Sequence, residues 1–170
     1  MPRSFDMAAE YDGTAEQVYL AFSDEGYWLA RLAESGADKA TLDAIDRTAD
    51  GGVDIVMTQT LRADRLPGVV TQFHHGDLSF VREETWGPIV DGEAAAVIKG
   101  SIRGAPATLD GAAVLGRSGT GASARLEFKA TVEVRIPLVG GKVENFVGSQ
   151  LVDLLIAEQR FTTTWIQEHT

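Results

Sequence analysis

The sequence predicts an α+β fold: a curved, seven-stranded (six to seven strands) antiparallel sheet wrapped around a long C-terminal helix. Three observations predict it. Residues 125–136 alternate apolar and polar side chains without exception, which is typical of a strand with one buried face. From residue 142 to about 168 the apolar period becomes that of a helix of about 27 residues, ~40 Å long. The preceding strands follow one another through short joints, which favours antiparallel pairing.

The other elements follow in chain order. Residues 4–11 alternate as a first strand, and Thr14 with Gln17 forms a capping box that predicts a helix. A second short helix over about 25–35 ends at Gly36. Gly140 and Gly141 are expected to form a flexible connector before the last helix. Further strands are predicted at 38–47, 53–62, 78–86, 94–103, 108–117 and 125–136, and loops at 64–76 and 116–121.

Composition narrows the class of protein. A length of 170 residues predicts one domain, 1–170, and the absence of cysteine excludes disulfides and thiol chemistry. A net charge of -10 argues against binding to nucleic acid or anionic membranes. No apolar run reaches the ~20 residues of a membrane span, and the first residues do not resemble a signal peptide. The expectation is therefore a cytoplasmic protein, either a monomer or a weak homodimer.

Two possible cofactor signals are rejected. Residues 119–124 match the G-x-G-x-x-A dinucleotide pattern, but that pattern needs a helix next and here a strand follows. His74 and His75 are adjacent, so their side chains diverge, and no third histidine lies nearby to complete a zinc site. We therefore predict no cofactor, no metal and no catalytic residue set.

Short motifs carry a family resemblance. They are Pro2-Arg3-Ser4-Phe5, Tyr27-Trp28 followed by Arg31-Leu32, Glu84-Thr85-Trp86, and Ile136-Pro137-Leu138-Val139-Gly140-Gly141-Lys142-Val143-Glu144. With the order of elements, they resemble the helix-grip fold of the START/Bet v 1-like (SRPBCC) superfamily, and within it the actinobacterial DUF2505 family of unknown function. The resemblance implies a sheet that grips the last helix, usually around a cavity for apolar small molecules. It supplies no catalytic motif, and a shared fold does not fix function.

Small side chains on the central hairpin also suggest a cavity. If Ile98 and Leu109 face inward, the same face carries Ala94, Ala96, Gly100, Gly111 and Ala113. Protein interiors rarely leave such volume unfilled, so either the helix approaches the sheet closely or a ligand occupies the gap.

Glu158 is the most unusual residue of the C-terminal helix. It lies within the apolar arc formed by Val143, Val147, Leu151, Leu154, Phe161 and Trp165. A buried carboxylate needs a partner, a raised pKa or hydration. Glu158 is therefore either a polar anchor for a ligand or one half of a structural ion pair with an arginine.

Other candidates share the presumed inner surface. Gln59 lies among apolar residues and either contacts a ligand or bonds to the backbone within the core. Arg82 is expected on the outer face of its strand, and Glu84 is undecided. Aromatic residues on the helices either line a pocket mouth or belong to the core. The predicted ligand contacts are Glu158, Phe161, Leu154, Gln59, Met57, Trp86, Trp28 and Trp165.

The leading functional hypothesis is a protein that binds or carries a hydrophobic small molecule, such as a lipid or polyketide, between sheet and helix. Two alternatives remain open. One is an enzyme of the polyketide cyclase or dehydratase type, with Glu158 as a general base of raised pKa. The other is a protein-interaction module like chaperone activators of similar fold, with a filled core and an exposed apolar patch.

Overall fold

A computed structural model describes residues 2–72, 74–119 and 121–169 of the chain, without the side chain of Val69. It confirms the predicted α+β order. The elements are β1 (Arg3–Tyr11), α1 (Ala15–Phe22), α2 (Glu25–Ala33), β2 (Lys39–Arg47), β3 (Val53–Leu61), a 3-10 turn (Ala63–Arg65), α3 (Gly68–Thr71), β4 (Leu78–Trp86), β5 (Ala94–Ile102), β6 (Ala107–Ser118), β7 (Ser123–Val134) and α4 (Gly140–Glu168).

The described strands form one curved antiparallel sheet with the order β1-β7-β6-β5-β4-β3-β2. Its two edges, β1 and β2, are consecutive strands, and α1 and α2 carry the chain from one edge to the other. The capping box that starts α1 is present: the Thr14 hydroxyl accepts from the Gln17 amide, and the Gln17 side chain accepts from the Thr14 amide. The fold is therefore the helix-grip arrangement that the sequence predicts.

The alternating pattern of β7 sets the register of its neighbours. Its apolar residues from Ala124 to Val134 are buried, while the polar residues between them are mostly exposed. β7 pairs with β1 and β6 along nearly its whole length, from Arg3 opposite Val132 to Ser118 opposite Ser123. A one-residue slip would turn the apolar set outward, so burial of one face specifies this register.

The long helix α4 packs differently along its two halves. Near its start, Gly148 lies so close to the Phe5 ring that a Cβ there would overlap it, and Glu144 Oε2 accepts from the Val134 amide at 2.9 Å. Further along, α4 rests on the short helices, where the Tyr27 and Thr162 hydroxyls are 2.6 Å apart. The first half therefore lies directly against the sheet, and the second half is supported by α1 and α2.

Two local predictions are wrong. Gly140 and Gly141 do not form a flexible connector but begin α4, and a side chain at Gly140 would lie 2.5 Å from the Val134 carbonyl oxygen. Gly116 belongs to β6, where it pairs with Arg125, so the predicted loop at 116–121 is shorter. Residues 64–76 form two helical turns and connecting loops, as expected, although Phe73 lies outside the described residues.

Candidate functional site

A groove of about 450 Å³ lies between α2, β3 and the C-terminal half of α4. Its apolar lining comes from Leu32 on α2, Met57 on β3, and Leu154, Phe161 and Trp165 on α4. On the solvent side the lining residues are exposed and mostly polar, so the groove opens to the surface along α4. The arrangement is a surface-accessible cleft with an apolar inner wall.

The apolar arc predicted for α4 therefore faces this groove over its second half. Leu154, Phe161 and Trp165 are only partly buried, whereas Thr162 and Ile166 are the buried residues there. The arc correctly identified the apolar side of the helix. Helix periodicity defines which side of α4 is apolar. It does not show whether the sheet or an open groove lies against that side.

Met57 and Gln59 form the strand wall of the groove. Both belong to the inner face of β3, where Val53 and Ile55 are fully buried. No hydrogen bond reaches the Gln59 side-chain amide from any residue that the structure describes. The amide is therefore not the backbone-bonded core group that the sequence also allowed, and it offers a donor and an acceptor to the groove.

A cluster of four charged residues closes the inner end of the groove. Glu158 on α4 pairs with Arg31 on α2 and, at 3.1 Å, with Arg82 on β4. Arg82 also lies 2.9 Å from Glu84, whose other oxygen accepts from the Trp86 indole at 3.0 Å. The cluster holds two positive and two negative charges and ties α2, β4 and α4 together.

The expectation that Arg82 faces outward is wrong. Arg82 and Glu84 are 8% and 6% exposed and lie on the inner face of β4, between the buried Leu78 and Trp86. Period two requires these four residues to share a face, so burial of the large indole carries both charges inward. Burial of this kind is tolerated because each charge has an opposite partner.

The two arginines control the ionisation of Glu158. Burial alone would raise the pKa of Glu158, but the positive charges of Arg31 and Arg82 outweigh it and lower the pKa below the ordinary value. Arg31 shows the reciprocal effect: burial acts to lower its pKa, and the charge of Glu158 raises it. Glu158 is therefore a fixed carboxylate at neutral pH, which is the ion-pair alternative and not the raised pKa of a general base.

A second, smaller cavity of about 60 Å³, here called the inner cavity, lies between the sheet and the middle of α4. Trp86 lines it, together with Tyr11 and Arg82, while Arg31, Leu154 and Glu158 line both this cavity and the groove. The charged cluster therefore borders both the groove and the inner cavity.

The small residues of the central hairpin do not form the groove. Gly100 and Gly111 do face inward, but the rings of Phe80 and Phe128 lie against them, and a Cβ at either glycine would be 2.8 Å from a ring carbon. The glycines accommodate aromatic rings from the neighbouring strands β4 and β7. The larger volume lies beside β3, because α4 packs on the sheet mainly against β1 and β7.

Most of the predicted contact residues line one of the two cavities, and one lies in the core. Met57, Gln59, Leu154, Glu158, Phe161 and Trp165 line the groove, and Trp86 lines the inner cavity. Trp28 lines neither: it is fully buried, its indole donates to the Phe22 carbonyl at 2.8 Å, and its ring centroid lies 5.9 Å from that of Phe22.

Sequence reasoning missed Arg31 as a site residue. Its guanidinium donates to the Tyr27 hydroxyl at 3.2 Å and lies 4.6 Å from the centre of the Trp28 ring, beside Glu158. A signal was present, since Arg31 follows Tyr27 by one helical turn on the buried side of α2. A lone arginine on an apolar helix face predicts a buried carboxylate partner.

The structure also bears on the metal, membrane and dinucleotide signals considered in the sequence. In the described part of the chain no three histidine, aspartate or glutamate residues are grouped as metal ligands would be, and no described helix is long and apolar enough to span a membrane. His74 lies in a loop, where its ring bonds to the Asp77 carbonyl. The pattern at 119–124 begins in the connection between β6 and β7 and ends within β7, which starts at Ser123; Thr120 lies outside the described residues.

Comparisons with known proteins agree with this fold. A family model described as "Protein of unknown function (DUF2505)" matches residues 6–166. An uncharacterized protein of Mycobacterium tuberculosis is 51% identical over 170 residues, covering 98% of each chain.

Two solved structures cover nearly the whole chain. The Zhui aromatase/cyclase of a Streptomyces species matches with a TM-score of 0.62 at 8% identity, covering 98% of this chain and 94% of that one. A START superfamily protein of Mycobacterium smegmatis matches with a TM-score of 0.53 at 15% identity, covering 98% and 99%. At such identities the likeness concerns the fold.

Proposed function

The chain belongs to the DUF2505 family of proteins of unknown function, and from that premise we propose that it binds a small, largely apolar molecule in the groove between α2, β3 and α4. The observation that carries the proposal is the groove itself. Its volume of about 450 Å³ falls within the range of roughly 300–1,000 Å³ typical of small-molecule sites.

The lining suits such a ligand. Apolar and aromatic surface comes from Leu32, Met57, Leu154, Phe161 and Trp165. The Gln59 amide, which bonds to none of the described residues, supplies a polar contact. Ligand sites commonly combine an apolar wall with a few polar groups that orient the molecule. Two fold neighbours, an aromatase/cyclase and a START superfamily protein, are consistent with a ligand-binding use of this architecture.

Binding is favoured over acid–base catalysis by the state of Glu158. A general base that works near neutral pH needs a pKa close to that pH. Arg31 and Arg82 instead lower the pKa of Glu158 below its ordinary value. The carboxylate thus serves to hold α4 against α2 and β4 at the inner end of the groove.

The test uses the uncharged fluorescent ketone prodan, whose emission shifts to the blue in an apolar site. Prodan should bind to the purified chain, and Ala157→Trp, which places an indole in the groove, should weaken binding at least about tenfold by removing apolar contact area. The matched control is Val152→Trp, an exposed position of the same helix outside both cavities, which should change affinity less than about twofold.

Two results would count against the proposal. One is the absence of a blue shift with the unmodified chain. The other is an equal loss of prodan affinity in Ala157→Trp and Val152→Trp, because that would place the probe elsewhere on the surface. Native mass spectrometry of the chain purified from its host then identifies a bound molecule by its mass.

A further inference from the structure

Two side chains that line the inner cavity, those of Tyr11 and Arg82, each carry a polar atom that makes no hydrogen bond with a described residue. Arg82 Nε is buried and makes no hydrogen bond with a described residue. Tyr11 is 2% exposed and lines the same cavity, and no hydrogen bond reaches its hydroxyl from any residue that the structure describes. Buried polar groups are nearly always paired, so two unpaired donors at one small cavity indicate a site for an acceptor atom.

Both groups are donors at neutral pH. Burial raises the pKa of the Tyr11 hydroxyl far above its ordinary value, so the hydroxyl keeps its proton. An arginine Nε carries a hydrogen and has no lone pair to offer. The atom that they receive is therefore an acceptor, as an oxygen is. A volume of about 60 Å³ is several times the roughly 10–15 Å³ that one water needs, so it has room for a small polar group.

The charges around both cavities argue against an anion. The buried cluster of Arg31, Arg82, Glu84 and Glu158 is already balanced, so an added carboxylate would leave one uncompensated buried negative charge. The groove lining contains two arginines, Arg31 and Arg160, but three glutamates, Glu34, Glu158 and Glu168. An anionic head group would thus meet a net negative lining on a chain whose net charge is -10.

We infer that the ligand is an uncharged molecule with a carbonyl or similar oxygen, and that this oxygen binds in the inner cavity at the Tyr11 hydroxyl and Arg82 Nε. The inference rests on the proposed function and specifies its ligand class. The body of the ligand lies in the groove, and its oxygen-bearing end enters the inner cavity past the three residues that line both, Arg31, Leu154 and Glu158. Fatty acids and other amphiphilic carboxylates are discriminated against by charge.

The first experiment compares two ten-carbon competitors for bound prodan at neutral pH, methyl octyl ketone and decanoate. Their chains are alike, so the difference reports the head group. The ketone should displace prodan at a concentration at least about tenfold lower than decanoate, because only the carboxylate adds an unpaired charge. Equal potency of the two, or a stronger effect of decanoate, would overturn the inference.

The second experiment uses two matched substitutions. Tyr11→Phe removes a hydroxyl that bonds to no described residue, so it should leave the melting temperature unchanged within about 1 °C and weaken ketone binding about five- to tenfold. Tyr19→Phe removes a hydroxyl that donates to the Gly87 carbonyl at 2.7 Å, away from both cavities. It should lower the melting temperature by several degrees and leave the ketone affinity unchanged.

The outcomes separate this inference from the proposed function. If prodan does not bind to the unmodified chain, the proposed function fails first. If prodan binds but Tyr11→Phe keeps full ketone affinity, the groove binds ligands and the inner cavity does not receive the oxygen. If Tyr11→Phe lowers the melting temperature as much as Tyr19→Phe, the hydroxyl serves the fold and the inference is wrong.

Discussion

At the residue scale, Glu158 shows how one carboxylate is kept ionised inside an apolar setting. Its side chain is 18% exposed, and those of its partners Arg31 and Arg82 are each 9% exposed. Desolvation of each charge is offset by attraction to the others, and the balance lowers the pKa of Glu158. Removing one member therefore leaves the remaining charges buried and incompletely paired.

We predict that Glu158→Gln lowers the free energy of unfolding by about 3 kcal/mol, because an uncompensated positive charge remains beside the amide. Urea denaturation at neutral pH measures the change. Glu83→Gln, at an exposed neighbour of Glu84 on β4, makes the same chemical change and should stay within about 0.5 kcal/mol of the unmodified chain. Similar values for the two variants would mean that the cluster contributes nothing net.

Leu138 is a second residue whose local conformation invites a test. It has φ 71° and its side chain is fully exposed, and the Val139 amide donates across it to the Pro137 carbonyl at 2.9 Å. This is the hydrogen bond of a γ-turn with positive φ, a strained conformation for a residue with a Cβ.

Leu138→Gly should therefore raise the free energy of unfolding by about 0.5–1 kcal/mol, the relief of strain being partly offset by the greater freedom of glycine in the unfolded chain. Leu138→Ala removes the same exposed apolar surface but keeps a Cβ, so it should change little. A thermal melt of the three proteins distinguishes these effects, and equal melting temperatures for the glycine and alanine variants would contradict the assignment of strain.

At the scale of elements, α4 is held at its start by direct contact with the sheet. Gly148 permits this contact, because its backbone lies against the Phe5 ring of β1. A glycine inside a helix normally costs about 1 kcal/mol relative to alanine, so its presence here reflects packing and not helix propensity.

Gly148→Ala should consequently lower the melting temperature, although alanine is the better helix former, since the new methyl group displaces the Phe5 ring. Gly141→Ala is the matched control in the same helix: its Cβ would meet only Arg3 at 3.7 Å, so stability should stay equal or increase. In a Phe5→Leu background the cost of Gly148→Ala should shrink. Stabilisation by Gly148→Ala in the unmodified chain would disprove the close approach.

At the scale of the whole molecule, acidity governs stability in two opposing ways. The chain carries a net charge of -10, so protonation on moving below neutral pH relieves repulsion among its many carboxylates. Against this, the pKa values of several paired carboxyl groups are lowered by their partners, namely those of Glu10, Glu16, Asp38, Asp50 and Glu158.

The lowered pKa values determine how stability changes at the acid end of the pH profile, which we call the acid limb. A carboxyl group with a lower pKa in the folded than in the unfolded chain stabilises the fold above the unfolded value, and this contribution is lost as pH falls through the folded value. We expect the melting temperature to hold or rise from neutral pH to about 5 and to drop below about 4.5, the ordinary pKa of glutamate.

Differential scanning fluorimetry over this range, at low and high salt, measures the profile. High salt should reduce the rise in melting temperature toward pH 5, because salt screens the repulsion between surface charges. Glu158→Gln should show a shallower acid limb than the unmodified chain, since it lacks the buried group. An identical acid limb in both proteins would assign the loss entirely to surface carboxylates.

Much of the fold was predictable because burial imposes a period on each element. The alternation of β7 and the helical period of α4 appear in the sequence as they do in the structure, and Glu158 was recognised because a charge interrupts an apolar arc. The inward orientation of Arg82 was not predictable. On β4, large apolar and charged residues share one face, so either face could be the buried one until the neighbouring strands are placed.

The amino-acid order by itself determined the elements, their sequence along the chain and one anomalous carboxylate, since these depend on side chains a few residues apart. Only the tertiary structure decided which arginines pair with Glu158, that phenylalanine rings cover the hairpin glycines, and that the principal groove lies beside β3. Those features depend on the distance between α4 and each strand. That distance is set by packing between residues far apart in the chain, which local periodicity does not encode.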